Sequence, residues 1–354
     1  MISACPSLMV VADSLEGGMG AAVTSHCKLF AGEGWHVTLA APCASESGLD
    51  EVRCIDLPVP ESAFQMRAMV RTARRIRGLM REFRPDVTHA HGLRVYAAVL
   101  AGAHRAFLTL HGAGHNPRQS AVAEFVRAQS RNLVPLVTRG AFTVSPLDRG
   151  RWTTMLFPSP RLPALDDVAS RTRDESPLFL FVGRLAPPKR PDVFVDALAI
   201  LRDRVPGVRG VVLGDGPDRM ALAERIRRTD APVTLHGHAD DLVDWYGRAW
   251  GVCLISDFEG LPFVVQEAMW AGRPVLTSRL PGVEWFAADA ARYVSDALEL
   301  AEGMRELCDP EVRDERGLAA RRRVRSMLSH DSLYTSLAEV YRDAGGPDAG
   351  QERV

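Results

Sequence analysis

Lysine is almost missing from this chain: of its 43 basic residues only Lys28 and Lys189 are lysines, the rest being arginine. A coding bias explains the shortage better than physics does. It still makes Lys189 informative, because arginine was the default cation and a compact ammonium charge was kept. Chance is the alternative reading.

Charge of one sign is also missing. The formal net charge is -1, so no strong field recruits nucleic acid or anionic lipid, and any phosphate recognition must be local. No apolar stretch reaches the length of a membrane span. The opening residues, Met1 to Val11, lack a basic region, so no signal peptide is expected. None of the six cysteines forms a C-x-x-C pair or a zinc spacing. Cys27 and Cys253 sit in apolar patterns as small core residues, and free thiols suit a reducing cytoplasm. The G-x-G-x-x-G fingerprint is absent, and no acidic residue clearly ends the second strand, which disfavours a nicotinamide dehydrogenase.

A chain of 354 residues suggests two domains. Short runs rich in Val, Leu and Phe alternate with longer helical patterns, the signature of βαβ units and parallel sheets. Strands are expected at Leu8–Ala12, His36–Ala41, Asp86–Ala90, Ala106–His111 and Ala141–Ser145, with helices near Ala21–Gly32, Phe64–Glu82, Arg94–Ala103 and Ala121–Arg131. The proline-bearing segment Phe157–Ser176 breaks the pattern and reads as a linker. The alternation restarts with strands at Leu178–Gly183, Gly210–Gly214, Val233–His236, Val252–Ser256 and Pro274–Thr277. Helices follow at Asp192–Arg204, Asp218–Arg228, Leu242–Ala249, Val264–Ala271 and Ala297–Leu307, and Arg313–Asp343 looks helical. The expected domains are 1–165 and 170–328, with the helix at 329–343 packing back on the first.

Ligands of open parallel sheets bind beyond the carboxyl ends of the strands. In the first half, Glu16-Gly17-Gly18-Met19-Gly20 joins a strand to a helix. Glycines there allow a tight turn and close backbone approach, and helix-start amides favour an anion. A purely structural turn is the competing reading. In the second half, Arg184 and Lys189 flank the loop after Leu178–Gly183. One guanidinium and one ammonium can neutralise a departing diphosphate without a metal. Gly214-Asp215-Gly216-Pro217 stops a strand and starts a helix. Glu259 and Glu267 are separated by seven residues across Gly260, Leu261, Pro262, Phe263 and Val264 at a helix start. Carboxylates so placed suit pairs of sugar hydroxyls; helix capping is the blander alternative.

Gly183-Arg184, Lys189, Gly214-Asp215-Gly216-Pro217 and the E-x7-E of Glu259 and Glu267 occur together and in order. The chain thereby resembles the retaining GT-B glycosyltransferases of the GT4 group, most closely over Leu178–Glu284. In the first half the likeness rests on Gly17-Gly18, His89-Ala90-His91 and Thr109-Leu110-His111-Gly112. The resemblance implies an α/β, GT-B architecture of two Rossmann-like domains facing across a cleft. It implies that Arg184 and Lys189 bind the diphosphate, Glu259 contacts donor-sugar hydroxyls and Glu267 holds the ribose. Amides of Gly260 to Val264 would lie against sugar and phosphate, Gly18 would approach the phosphates and acceptor, and Gly214 would belong to the donor site. His111 would lie near the reacting carbon, and the loop His236-Gly237-His238 would border the base. The implied reaction transfers sugar with retention by front-face attack, without metal or protein nucleophile. The donor would be a UDP- or GDP-sugar and the acceptor a small or lipid-linked molecule. No nucleic-acid partner is expected, and a homodimer is compatible with the sequence.

Two places depart from the family pattern. No acidic residue soon follows Gly17-Gly18, and Phe157-Pro158-Ser159-Pro160 replaces the usual Pro-Asn-Gly-type turn. Of the remaining signals, Asp240-Asp241 is read as helix capping rather than a metal pair. His89 and His91 are expected to face opposite sides of their strand, and His26 and His36 are read as structural. The arginines between Arg67 and Arg81 are read as a solvated helix face, the alternative being a surface for anionic membranes. The arginine bias suggests an actinobacterial source. Alternative functions are a sugar-nucleotide epimerase or pseudo-glycosyl coupling enzyme, and a non-catalytic nucleotide-sugar binding protein.

Overall fold

The computed structural model describes residues 5–60, 65–92, 94–95, 99, 106–110, 138–143, 152–154, 156–170 and 173–343. These fall into two compact units, Met1–Pro160 with Ser329–Val354, and Arg161–Leu328.

The first unit carries seven parallel strands in the order β3-β2-β1-β4-β5-β6-β7. They are β1 (Ser7–Ala12), β2 (His36–Ala41), β3 (Arg53–Asp56), β4 (Val87–His91), β5 (Ala106–Leu110), β6 (Thr138–Thr143) and β7 (Trp152–Thr154). Helix α1 (Gly17–Gly32) follows β1, and α2 (Met66–Phe83) precedes β4. Strand β1 is apolar and buried almost throughout, as a strand covered on both faces must be. On α2, Ile76, Leu79 and Met80 enter the core. Arg67, Arg71, Arg74, Arg75, Arg77 and Arg81 are exposed, the division expected of an amphipathic helix. The glycine turn before α1 has a steric cause. Gly17 has φ +56°, and a Cβ on Gly20 would lie 1.7 Å from the Leu15 carbonyl oxygen.

The second unit holds six parallel strands in the order β10-β9-β8-β11-β12-β13. They are β8 (Leu178–Val182), β9 (Arg209–Leu213), β10 (Val233–Gly237), β11 (Gly251–Leu254), β12 (Val275–Ser278) and β13 (Ala291–Val294). The helices are α3 (Pro191–Leu201), α4 (Arg219–Thr229), α5 (Leu242–Arg248), α6 (Phe263–Trp270), α7 (Pro281–Ala287), α8 (Ala297–Glu306) and α9 (Pro310–Met327). Phe179 and Phe181 of β8 pack with Phe194, Leu198, Leu276 and Met304 in the core. Strand order reverses direction beside β8, so the ends of β8, β9 and β11 open where ligands of such sheets bind.

Several expectations need correction. The single helix expected over Arg313–Asp343 is two, α9 and α10 (His330–Asp343), broken at Leu328 and Ser329. Strands β3, β7 and β13 and helix α7 were not anticipated. Asp241 stands at the N-cap of α5, but its side chain makes no capping hydrogen bond. The helix expected at Ala121–Arg131 lies outside the described residues, as does most of that at Arg94–Ala103.

His89 and His91 do not face opposite sides. Residues two apart in a strand share a face, and the two rings stack with centroids 4.7 Å apart. They join a buried chain of polar groups. Thr109 Oγ1 lies 2.7 Å from His89 Nε2, and His89 Nδ1 lies 2.6 Å from Tyr341 Oη on α10. Tyr341 Oη is 2.9 Å from His26 Nε2, and His26 Nδ1 is 2.9 Å from His91 Nε2. One hydroxyl hydrogen serves only one of its two histidine contacts, so the other ring must present N–H. Burial raises the Tyr341 phenol well above its usual pKa, so it stays neutral in this role. The three imidazoles are also the group among the described residues that could gather on a metal ion. His36, by contrast, is exposed on β2.

Tyr341 is therefore expected to fasten α10 to its own unit. Tyr341→Phe removes the buried hydroxyl that His89 and His26 share, which costs about 1–3 kcal/mol. A urea titration is expected to show a lower midpoint with the slope unchanged. An unmoved midpoint would contradict the assignment.

Candidate functional site

The loop after β8 and the loop after β11 are stitched together by backbone. Arg190 N–H donates to the Ile255 carbonyl at 2.9 Å, and Asp257 N–H donates to the Pro188 carbonyl at 2.9 Å. Ser256 Oγ reaches the carbonyls of Pro188 (3.1 Å) and Phe258 (3.0 Å). The Ser256 amide in turn donates to Ser278 Oγ at 3.1 Å, which ties the β11 loop to the end of β12. This lacing sets Lys189 beside Glu259, with Nζ 2.5 Å from Oε1 and both side chains largely buried.

Arg184, at the start of the same β8 loop, is exposed. It lines a pocket of about 390 Å³ together with Gly183, Gly214, Asp215, His238 and Leu242. Gly214 must be glycine: its φ is +141°, and a Cβ would lie 2.0 Å from the Gly183 carbonyl oxygen. The close approach of the β8 and β9 ends thus forms the pocket wall. His236, expected at its border, is exposed and set edge-on to Trp245 at 5.2 Å. His238, two residues on, lines the pocket instead.

Glu259 and Glu267 bracket the start of α6, as their spacing predicts. Gly260, Leu261, Phe263 and Val264 are partly exposed, while Pro262 is buried at the N-cap. Amides at such a helix start can hold an oxyanion. Glu267 is only 1% exposed. Its Oε2 accepts from Tyr246 Oη at 2.8 Å, and its Oε1 accepts from Arg161 Nη1 at 3.1 Å. Burial, then the Glu267 charge, holds the Tyr246 phenol well above its usual range, so it remains a donor. Tyr246 lies one turn after the pocket-lining Leu242 on α5.

The end of α5 is fixed by Arg273, a fully buried guanidinium. Its Nε donates to the Tyr246 carbonyl at 2.7 Å, and its Nη2 to the carbonyls of Gly247 (2.8 Å) and Val168 (2.9 Å). Burial pushes Arg273 down to about 9.

Arg184, Lys189, Gly214, Glu259, Glu267 and the Gly260–Val264 segment thus belong to one unit. Gly18 lies exposed in the first turn of α1 in the other unit, and His111 lies outside the described residues. Tyr246 and Arg161 carried no sequence signal, being a core aromatic and one arginine among many.

The family model described as glycosyl transferases group 1 matches residues 176–309, and that described as glycosyltransferase family 4 matches residues 16–154. The chain belongs to the group 1, GT4-type glycosyltransferases. Its relatives include the glycogen synthase of Mycobacterium tuberculosis, 27% identical over 315 residues, with 77% of this chain and 73% of the relative covered. The D-inositol 3-phosphate glycosyltransferase of Streptomyces coelicolor is 31% identical over 186 residues, with 47% and 40% covered. This chain therefore spans less than half of that relative's length.

Among solved structures, a glycosyltransferase from Rickettsia africae superposes with a TM-score of 0.80 at 14% identity, covering 97% of this chain and 99% of its own. Anabaena HepE, crystallised with UDP, gives 0.72 at 15% identity, covering 95% and 100%. These likenesses show the fold: two parallel α/β sheets of the GT-B type.

Gly214→Ala tests how far the pocket wall depends on the glycine. The clash with Gly183 and the left-handed backbone are expected to destabilise the protein by at least about 2 kcal/mol. A denaturation curve superposable on the wild type would contradict the packing described.

Proposed function

We propose that this glycosyltransferase moves a sugar from a nucleoside-diphosphate sugar to a small or lipid-linked acceptor, with retention and without a metal. One observation supports the reading above the others: Lys189 and Glu259 are held as a pair beside a helix start, next to the Arg184 pocket. An ammonium there can take up the charge of a departing diphosphate, and a carboxylate can accept from sugar hydroxyls.

The donor is a UDP- or GDP-sugar, its base in the pocket of Gly214, His238 and Leu242 and its ribose on Glu267. In the free protein Lys189 and Glu259 form an ion pair in which Glu259 Oε1 makes no hydrogen bond among the described residues, so it keeps an acceptor for a ligand. On donor binding the ammonium turns to phosphate oxygens and the carboxylate to sugar hydroxyls. The bond from the anomeric carbon to the diphosphate then breaks, with charge collecting on phosphate oxygens near Lys189 and Arg184. The acceptor oxygen bonds to the same face of that carbon, and its proton passes to a phosphate oxygen. The work left to the protein is positioning and charge stabilisation. Acceptor recognition falls to the first unit, in which Gly18 and His111 are the residues proposed to act.

The α2 face adds a reading of location. Six exposed arginines with Glu82 as the helix's one acidic residue suit an anionic surface, as a lipid-linked acceptor would require. No helix among the described residues is long and apolar enough to cross a membrane, so such contact would be peripheral.

The test is release of nucleoside diphosphate from a panel of sugar donors. Lys189→Ala is expected to lower turnover by on the order of 10²-fold or more. Turnover is expected to survive excess chelator. Near-normal turnover in the variant, or strict dependence on an added divalent metal, would overturn the scheme.

A further inference from the structure

Glu267, the carboxylate that the reading above gives to the ribose, is already occupied in the free protein. Tyr246 holds Oε2 from the buried side, and Arg161 holds Oε1. Arg161 is 50% exposed while Glu267 is 1% exposed, so Arg161 approaches the carboxylate from the solvent side. A ribose entering the site must approach from that same side.

We propose that Arg161 sets the donor affinity by capping Glu267, and that the ribose diol binds by displacing its guanidinium from Oε1. The proposal rests on the donor-site reading of Glu267. The local fold supports a side chain that moves on a backbone that does not. Leu162 and Leu165, in the short 3-10 turn directly after Arg161, are buried. The Asp166 carbonyl accepts from Arg321 Nη2 at 2.6 Å, and its carboxylate from Trp270 Nε1 at 3.1 Å. The anchored turn keeps the base of Arg161 beside α6, and its long, half-exposed side chain can swing away. Tyr246 is fully buried and cannot swing away.

The direction of the effect follows from the strengths of the bonds exchanged. A hydrogen bond from a charged guanidinium to a carboxylate is stronger than one from a neutral hydroxyl. Displacing Arg161 therefore offsets part of what the ribose gains. Without Arg161 that exchange is absent and the offset is removed.

The experiment is equilibrium dialysis of uridine, guanosine, UDP and GDP against wild type, Arg161→Ala and Arg161→Gln. Both variants are expected to bind the preferred nucleoside and its diphosphate about two- to tenfold more tightly than wild type. Raising sodium chloride screens the Arg161–Glu267 pair. It should therefore tighten nucleoside binding to wild type and leave the variants unchanged, a response that a merely structural arginine would not give. The glutamine variant keeps an amide donor without the charge and serves if the alanine protein does not fold. Equal or weaker nucleoside binding in the variants overturns the proposal. A loss confined to the diphosphate also overturns it and makes Arg161 a phosphate ligand. If none of the four probes binds wild type or either variant, the donor-site reading itself fails and the proposal with it.

Discussion

The candidate site depends on the lacing of the β8 loop to the β11 loop. Two backbone hydrogen bonds and the Ser256 hydroxyl fix Lys189 against Glu259, residues that the chain separates by an entire α/β half-sheet. Taking either charge out of water alone is costly, and setting the two side by side offsets part of that cost. Glu267 is treated in the same way by Arg161 and Tyr246. Both glutamates of the E-x7-E spacing thus rest against a cation in the free protein. On the proposed reading, donor binding is an exchange of partners, in which the ligand replaces contacts the protein already makes.

The sheets make such an exchange affordable in structural terms. Strands β1 and β8 are buried nearly throughout, so neither unit's stability rests on the site loops. Arg273 holds the end of α5 by carbonyl groups alone, which fixes Tyr246 without spending a carboxylate on it. In the first unit, Tyr341 plays the corresponding part for α10, inserted among His26, His89 and Phe107.

Much of this was legible in the sequence, for identifiable reasons. Apolar runs alternating with helical periods gave the parallel sheets, because strands covered on both faces need continuous apolar residues. The missed strands β3, β7 and β13 are short and end their sheets, where Arg53, Asp56 and Arg292 break the apolar pattern. The break between α9 and α10 has no glycine or proline to mark it. The motif loops were found by residue type, since Lys189, Glu259 and Glu267 are chemically distinctive and regularly spaced. Their partners were hidden. The sequence places Lys189 and Glu259 in the same half but cannot show them in contact. Arg161 is indistinguishable from the other arginines until the fold brings it to Glu267. The reading of His89 and His91 failed on strand geometry, since their spacing of two already puts both on one face.

The central claim is that the paired glutamates and the Gly214 pocket form a nucleoside-diphosphate site. The measurement that tests it most directly is calorimetric titration of the full chain with UDP, GDP, ADP and TDP, repeated on Glu267→Ala. The account predicts that one diphosphate binds selectively and that its affinity drops in the variant. Binding that ignores the loss of Glu267, or no binding by any of the four, would contradict it.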